Sequence, residues 1–311
     1  MLVLGATGTI GRATVRALVA CGHDTVCLVR HSSEVSDLDG AAIILGDACN
    51  PDAAFSGGRF DTIVSCLASR TGAPRDAWAV DYGANLAALR SGQAAGVAHF
   101  VLLSAICVQR PRLAFQHAKL AFEAALTGSG IDWTIVRPTA FFKSLSGQVE
   151  RVRAGKAFLV FGDGTLTACK PISDSDLADY LADCLDDITR RNRILPIGGP
   201  GPAITPRDQA ALLGKLLDRE VRMRRVPVAL LDTIIAALSL AGHLVPRLAD
   251  KAELARIGRY YATESMLLLD PITRRYDADA TPVTGALTLA DHYARLLRGE
   301  VRDERGDHAV F

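Results

Sequence analysis

Met1-Leu2-Val3-Leu4-Gly5-Ala6-Thr7-Gly8-Thr9-Ile10-Gly11-Arg12 is a short apolar strand that runs into three glycines spaced three apart. An amphipathic helix over 13–20 follows at once. Glycine serves three physical needs here. One allows a tight turn with unusual dihedrals, one lets backbone N–H groups approach a pyrophosphate, and one lets helix pack closely on strand. An anion is then favoured at the helix N-terminus, where unpaired N–H groups and the macrodipole point at it. Strand before, helix after and this spacing point to nucleotide binding rather than a plain turn. Gly5, Thr7, Gly8, Thr9, Ile10, Gly11 and Arg12 are the expected contacts. Only four residues precede the turn, so the first strand is short and frayed or the native start lies upstream of Met1.

The Gly-x-x-Gly-x-x-Gly spacing resembles the short-chain dehydrogenase/reductase superfamily, in particular its extended and atypical members, among them the NmrA-like proteins. A strand–helix alternation continues without it. Strands are predicted over 24–29, 41–45, 60–67, 97–104 and 133–137, with helices notably over 78–95 and 115–126. Near-continuous apolar strands separated by helices imply a parallel sheet covered on both faces. The predicted fold is α/β, a Rossmann-type doubly wound parallel sheet, with ligands at its carboxyl edge. Residues 1–145 are expected to form the dinucleotide domain, and 146–311 a smaller C-terminal substrate lobe partly interleaved with the sheet.

Edge positions speak to the cofactor. Where an NAD protein would place Asp or Glu after the second strand, the segment reads Val29-Arg30-His31-Ser32. A carboxylate there would repel a 2′-phosphate and a guanidinium would pair with it, so Arg30, Ser32 and Arg12 favour NADPH over NADH. The bland reading of Arg30 is a solvated loop charge. Asp47 and Ala48 are placed to meet the adenine, with a helix cap as the equal alternative for Asp47. Ala68 and Ser69 should pass beside the adenosine ribose.

Composition sets bounds. A 49% hydrophobic chain of 311 residues with formal net charge +1 describes a globular protein with room for a large core. It shows no basic run of the kind that binds nucleic acid. Seven cysteines, an odd number without Cys-x-x-Cys spacing, read as buried small hydrophobes in a reducing cytoplasm, not as disulfides or metal ligands. No basic segment, apolar stretch and cleavage site precede the first strand, which points away from secretion.

The superfamily's chemistry normally rests on a Tyr-x-x-x-Lys helix with a serine nearby, the lysine holding the nicotinamide ribose. Here that segment is Phe115-Gln116-His117-Ala118-Lys119, preceded by Ser104 at a strand end. The lysine is kept and the phenol is gone. Phenylalanine transfers no proton, so ordinary alcohol–ketone oxidoreduction by tyrosine is disfavoured. His117, two residues before Lys119, points to another helix face. Pro138, Thr139 and Phe141 fall in a segment resembling the loop beside the nicotinamide. Phe141, Phe142 and Phe161 could cover a flat apolar substrate, or be core.

In the second half, Phe161-Gly162-Asp163-Gly164-Thr165 reads as a hairpin turn. Pro171 to Asp176 opens a helix, Arg193 to Gly198 is a further strand, and Thr205 caps the next helix. Val226 to Val245 is the most apolar stretch, interrupted by Asp232 and His243. A buried or substrate-lining helix is the first reading, shallow membrane-surface contact the second, and a span the least.

Lys251 to Met266, Leu269-Asp270-Pro271, Tyr276-Asp277-Ala278 and Thr281-Pro282, together with Ala168 to Asp174, resemble the NADPH-dependent divinyl chlorophyllide 8-vinyl reductases. That resemblance covers nearly the whole chain. It implies hydride transfer from NADPH to the 8-vinyl group of a chlorin, a small-molecule substrate, in chlorophyll or bacteriochlorophyll synthesis. The conjugated macrocycle would delocalise the charge, which makes the missing tyrosine intelligible. It also implies cofactor positioning by Lys119, and makes Tyr260 and Tyr261 candidate acids or chlorin contacts, with packing as the alternative. Peripheral association with a photosynthetic membrane is compatible with it. The other readings are a non-catalytic NADP(H) sensor of the NmrA-like kind and a reductase of another flat conjugated substrate such as a quinone.

Overall fold

The computed structural model describes residues 1–31, 35, 37–56, 58–242 and 245–301. Along the chain come β1 (Leu2–Leu4), α1 (Thr9–Ala20), β2 (Val26–Val29), β3 (Ala42–Leu45), α2 (Asp52–Ser56), β4 (Thr62–Ser65) and α3 (Pro74–Ala77). A π-helical stretch, Trp78–Ala84, leads into α4 (Asn85–Ala94), followed by β5 (His99–Leu103), α5 (Ala114–Thr127) and β6 (Asp132–Pro138). Then come α6 (Phe142–Leu145), α7 (Val149–Arg153), β7 (Phe158–Phe161), α8 (Asp174–Asp186), β8 (Arg193–Ile197), α9 (Pro206–Leu216) and β9 (Met223–Val226). The last elements are α10 (Val228–Gly242), α11 (Pro246–Thr263), β10 (Leu268–Leu269), β11 (Tyr276–Asp277) and α12 (Leu289–Arg298).

Two compact units result. The first holds residues 1–69, 74–138 and 174–197, and the second holds 70–73, 139–173 and the chain from Gly198 onward.

In the first unit seven strands pair in the order β3-β2-β1-β4-β5-β6-β8. All six pairings are parallel. Apolar side chains on both faces bury β1 and β5 completely, as a sheet covered by helices on each side requires. The unit's core gathers Leu2, Leu4, Ile63, Phe100, Phe122 and Ile135. Two elements from residues 146–311 belong to this unit. β8 extends the sheet beside β6, with Ile194 opposite Ile135, and α8 packs on α1. Pro196 is tolerated because β8 is an edge strand, with no further strand awaiting its missing N–H.

The second unit has its own core of Phe142, Val149, Phe158, Leu213, Tyr293 and Leu296. Its β7 pairs with β9 in parallel, Phe158 opposite Met223. The expected hairpin after Phe161 is therefore not formed. Asp163 takes the Thr165 backbone N–H and hydroxyl at 3.0 and 2.6 Å, closing a local turn, and the chain leaves without a return strand. The apolar stretch forms α10, which buries none of its residues, so the expectation of a buried helix is corrected. Among the described residues, no helix is long and apolar enough to cross a membrane.

Candidate functional site

Because every strand of the seven is parallel, the segments after β1, β2, β3, β4, β5 and β6 emerge on one edge. That edge carries Gly5, Arg30, Asp47, Ala68, Ser104 and Pro138. Strand order reverses between β1 and β4, which is where doubly wound sheets open a crevice for ligands.

The glycine turn lies at that reversal. Gly5 has φ +72°, and a Cβ on it would lie 2.7 Å from the Cys66 carbonyl, so the turns after β1 and β4 touch backbone to backbone. A Cβ on Gly11 would lie 2.0 Å from the Gly5 carbonyl oxygen, so α1 presses directly on the turn that feeds it. Gly8 is the N-cap, no side chain caps the helix, and no acidic residue sits in its first turn. A side-chain-free helix start with its positive end outward is an anion cradle. Thr7, Gly8, Thr9 and Ile10 form its rim, Gly8 and Thr9 exposed and Ile10 buried. The cradle fits a dinucleotide pyrophosphate.

Around it, Arg30 is exposed after β2. Arg12 is engaged already, its Nε donating to the Thr7 carbonyl at 2.9 Å and its guanidinium meeting Asp37 at 2.7 Å. Ser32 lies outside the described residues. Asp47 is exposed and accepts the Cys49 N–H at 3.0 Å, which makes it a turn former after β3; Ala48 beside it is half-buried. Ala68 is exposed and Ser69 buried. Cys66, against the Gly5 turn, is a neutral thiol because desolvation pushes it up to about 11.

Two buried charge clusters follow. Lys119 on α5 meets Asp81 at 2.9 Å, and both side chains are almost wholly buried. Asp81 also accepts the Ser69 N–H at 3.4 Å. Its other carboxylate oxygen, Oδ2, is buried without a hydrogen-bond partner. The π-helical stretch that carries Asp81 is anchored at its end by Asn85. This amide donates to the carbonyls of Val80 and Asp81 at 3.3 and 3.1 Å and accepts from Ser65 at 2.6 Å. One turn beyond Lys119, Glu123 accepts from the Ser104 hydroxyl and forms a two-point ion pair with Arg137 of β6. The expected ribose lysine and serine are thus each bound to a carboxylate that the sequence reading did not single out. Glu123, four residues after Lys119 on one helix face, was legible in principle. Asp81 was not, because its direction depends on a π-helical turn.

Phe115 is half-buried, His117 is exposed, and Gln116 between them is structural. Gln116 accepts the N–H groups of Arg112 and Leu113 at 2.7 and 3.0 Å.

The remaining candidates divide between the units. Pro138 ends β6 in the first, while Thr139, Phe141, Phe142, Phe161, Tyr260 and Tyr261 belong to the second. The Thr139 hydroxyl donates to the Lys170 carbonyl. Of the two readings of Phe142, its packing is that of core: it is buried and meets His292, ring centroids 5.3 Å apart. Phe141 and Phe161 are half-buried. Tyr260 is buried and Tyr261 exposed, their rings meeting edge to face at 5.7 Å. A hydroxyl absent from the reading lies nearby in sequence: Tyr276 donates to buried Glu264 at 2.8 Å.

Comparison with known proteins gives two kinds of likeness. Residues 5–188 match the NAD(P)H-binding family model. The rice protein named divinyl chlorophyllide a 8-vinyl-reductase, chloroplastic, is 46% identical over 100% of this chain and 82% of its own length. The cucumber protein of the same name is 46% identical over 100% of this chain and 79% of its own. Among solved structures, an NADPH-dependent quinone oxidoreductase from Escherichia coli complexed with NADPH superposes with TM-score 0.68 at 20% identity. It covers 95% of this chain and 99% of that one, a likeness of fold.

Proposed function

The chain belongs to the NAD(P)H-binding family and, within it, to the divinyl chlorophyllide a 8-vinyl-reductases, and we propose that its site reduces the 8-vinyl group of a divinyl chlorin to ethyl with NADPH. One observation in the site supports a carbon–carbon rather than a carbonyl acceptor. Phe115 stands where the superfamily has its phenol, and the Ser104 hydroxyl gives its proton to Glu123, held in turn by Arg137. Neither position then offers a proton to a substrate oxygen. A carbonyl takes up hydride as an alkoxide that calls for such a donor. A vinyl group conjugated to a macrocycle spreads the charge over the ring, and the protein's part is orientation with water held off.

NADPH, when bound, supplies the hydride. The chain's residues hold it. The Gly5–Gly11 turn and the start of α1 take the pyrophosphate, and Arg30, free of the Asp37 pairing that occupies Arg12, takes the 2′-phosphate. Asp81 fixes the Lys119 ammonium, whose remaining protons address the nicotinamide ribose. Half-buried Phe141 and Phe161 and exposed Tyr261 are the candidate chlorin contacts. Peripheral residence on a photosynthetic membrane belongs to the same proposal.

Incubation of the protein with NADPH and divinyl chlorophyllide tests it. The Soret band should shift and the pigment gain two hydrogen atoms at the vinyl group. Unchanged pigment from protein that binds NADPH would overturn the reading in favour of a cofactor sensor. Arg30→Asp should weaken NADPH about tenfold or more and leave NADH nearly unchanged; equal effects would remove the phosphate assignment.

A further inference from the structure

We propose that the α10–α11 hairpin is a docking surface for an anionic lipid bilayer, with α10 lying in the interface and the arginines before it on the headgroups. This deepens the membrane part of the reading above, and its test needs no pigment.

The argument begins with the polar side chains of α10. Asp232 pairs with Arg259 of α11, and Ser239, seven residues on, accepts from Arg256 of α11 at 2.7 Å. Thr233 donates to its own helix, to the Ala229 carbonyl at 3.0 Å. Each polar side chain of α10 is therefore satisfied within the hairpin. Gly242 closes the fit, since a Cβ there would lie 2.9 Å from the Ala249 nitrogen. Beside the exposed but paired Asp232 and Thr233, α10 leaves large apolar side chains outward: Leu230 is 50%, Ile234 39% and Leu240 75% exposed. Val245 and Leu254 continue that exposure through the following segment. A fifteen-residue helix that buries nothing of its own and pairs its polar side chains is suited to lie at the boundary of an apolar phase.

Charge selects the phase. Residues 219–263 carry eight Lys or Arg against four Asp or Glu, in a chain whose whole formal charge is +1, so the positive excess is concentrated here. Two of those acids, Asp232 and Glu253, are already neutralised by Arg259 and Arg256. Arg222, Arg224 and Arg225 are exposed immediately before α10, and among the described residues no carboxylate pairs with them. Lys251 is exposed on α11. A second copy of this chain would set like charges against each other, whereas anionic headgroups over an acyl layer match both the arginines and the leucines. Fifteen helical residues reach about 22 Å, short of a hydrocarbon core of about 30 Å, so the helix lies in the surface.

Flotation of the full chain with vesicles, without pigment, decides the matter. Protein should float with an equal mixture of phosphatidylcholine and phosphatidylglycerol, stay behind with phosphatidylcholine alone, and be released by salt. Arg224→Gln with Arg225→Gln should cost about thirty-fold in vesicle affinity at about 1 kcal/mol per basic residue. Ile234→Asp should cost at least as much. Both variants should keep wild-type NADPH affinity, which reports that they fold. No flotation with either vesicle overturns the proposal, and so does flotation that ignores lipid charge and both variants. A dimer in solution that Ile234→Asp dissociates, without vesicle binding, would assign the surface to a second copy and overturn it equally.

Discussion

α1 and α10 are both rich in small and apolar residues, and they have opposite fates. α1 buries Ile10, Gly11, Ala13, Thr14, Val15, Ala17 and Leu18 between its sheet and α8. α10 buries none of its residues and, among the described residues, packs chiefly on α11. Apolar content therefore does not decide burial. The positions of the exceptions do. In α1, Gly11 sits where the helix backbone must approach the Gly5 turn, which commits that face to the sheet. In α10 the exceptions, Asp232 and Ser239, sit where they meet two arginines of the next helix.

The contrast can be broken most visibly by truncation. Leu18→Ala, wholly buried in α1, should destabilise the fold by about 3–5 kcal/mol. Leu240→Ala, 75% exposed in α10, should change it by less than about 0.5 kcal/mol. Urea unfolding of both measures the difference, and similar values would erase the distinction between the helices.

Buried charge comes next. Lys119→Met leaves Asp81 desolvated and unpaired and should cost about 3 kcal/mol as well as NADPH affinity. Lys119→Met with Asp81→Asn should regain most of the stability and none of the affinity. A double variant as unstable as the single one would show that the pair is not a unit.

Backbone approach ranks third. Gly11→Ala must move α1 off the Gly5 carbonyl, costing about 2 kcal/mol and at least about tenfold in NADPH affinity. Gly242→Ala should open the α10–α11 crossing and leave NADPH affinity untouched, as calorimetric titration would report.

The smallest effect is one of pH. His99 in the sheet and half-buried His292, packed on Phe142 in the second unit, are both lowered to about 4, burial being the first cause in each. Such imidazoles bind fewer protons folded than unfolded, where the value is about 6.5. Their stabilisation is complete above pH 6.5 and lost as pH falls towards 4. His99→Gln should flatten that decline by about 1 kcal/mol, read from urea midpoints between pH 6.5 and 4. An unaltered slope would place the acid sensitivity elsewhere.

The sequence carried the first unit well because its signals are local. Glycine spacing announces the turn, and the strands and helices fall within a few residues of their expected bounds. Membership is not local. The strand at Arg193–Ile197 was readable as a strand, yet nothing in its residues says that it joins β6. The turn at Asp163 looked like a hairpin because flanking apolar residues give no partner, and β7 found Met223–Val226 instead. In the site, Lys119, Ser104 and the loss of a phenol at Phe115 were legible from spacing. Asp81 was not singled out, since it gains meaning only when a π-helical turn and a strand end converge on it, and Glu123, though its helix spacing was readable, was not singled out either.

The central claim is that nicotinamide hydride reaches the chlorin's vinyl carbon without a phenolic acid. Deuterium tracing tests it directly. With NADPH deuterated on the transferred face of C4 and divinyl chlorophyllide in ordinary water, the ethyl product should contain one deuterium from the cofactor and one hydrogen from solvent. Phe115→Tyr should not raise the rate. A product with no cofactor deuterium, or a pigment returned unreduced beside oxidised NADPH, would contradict the account.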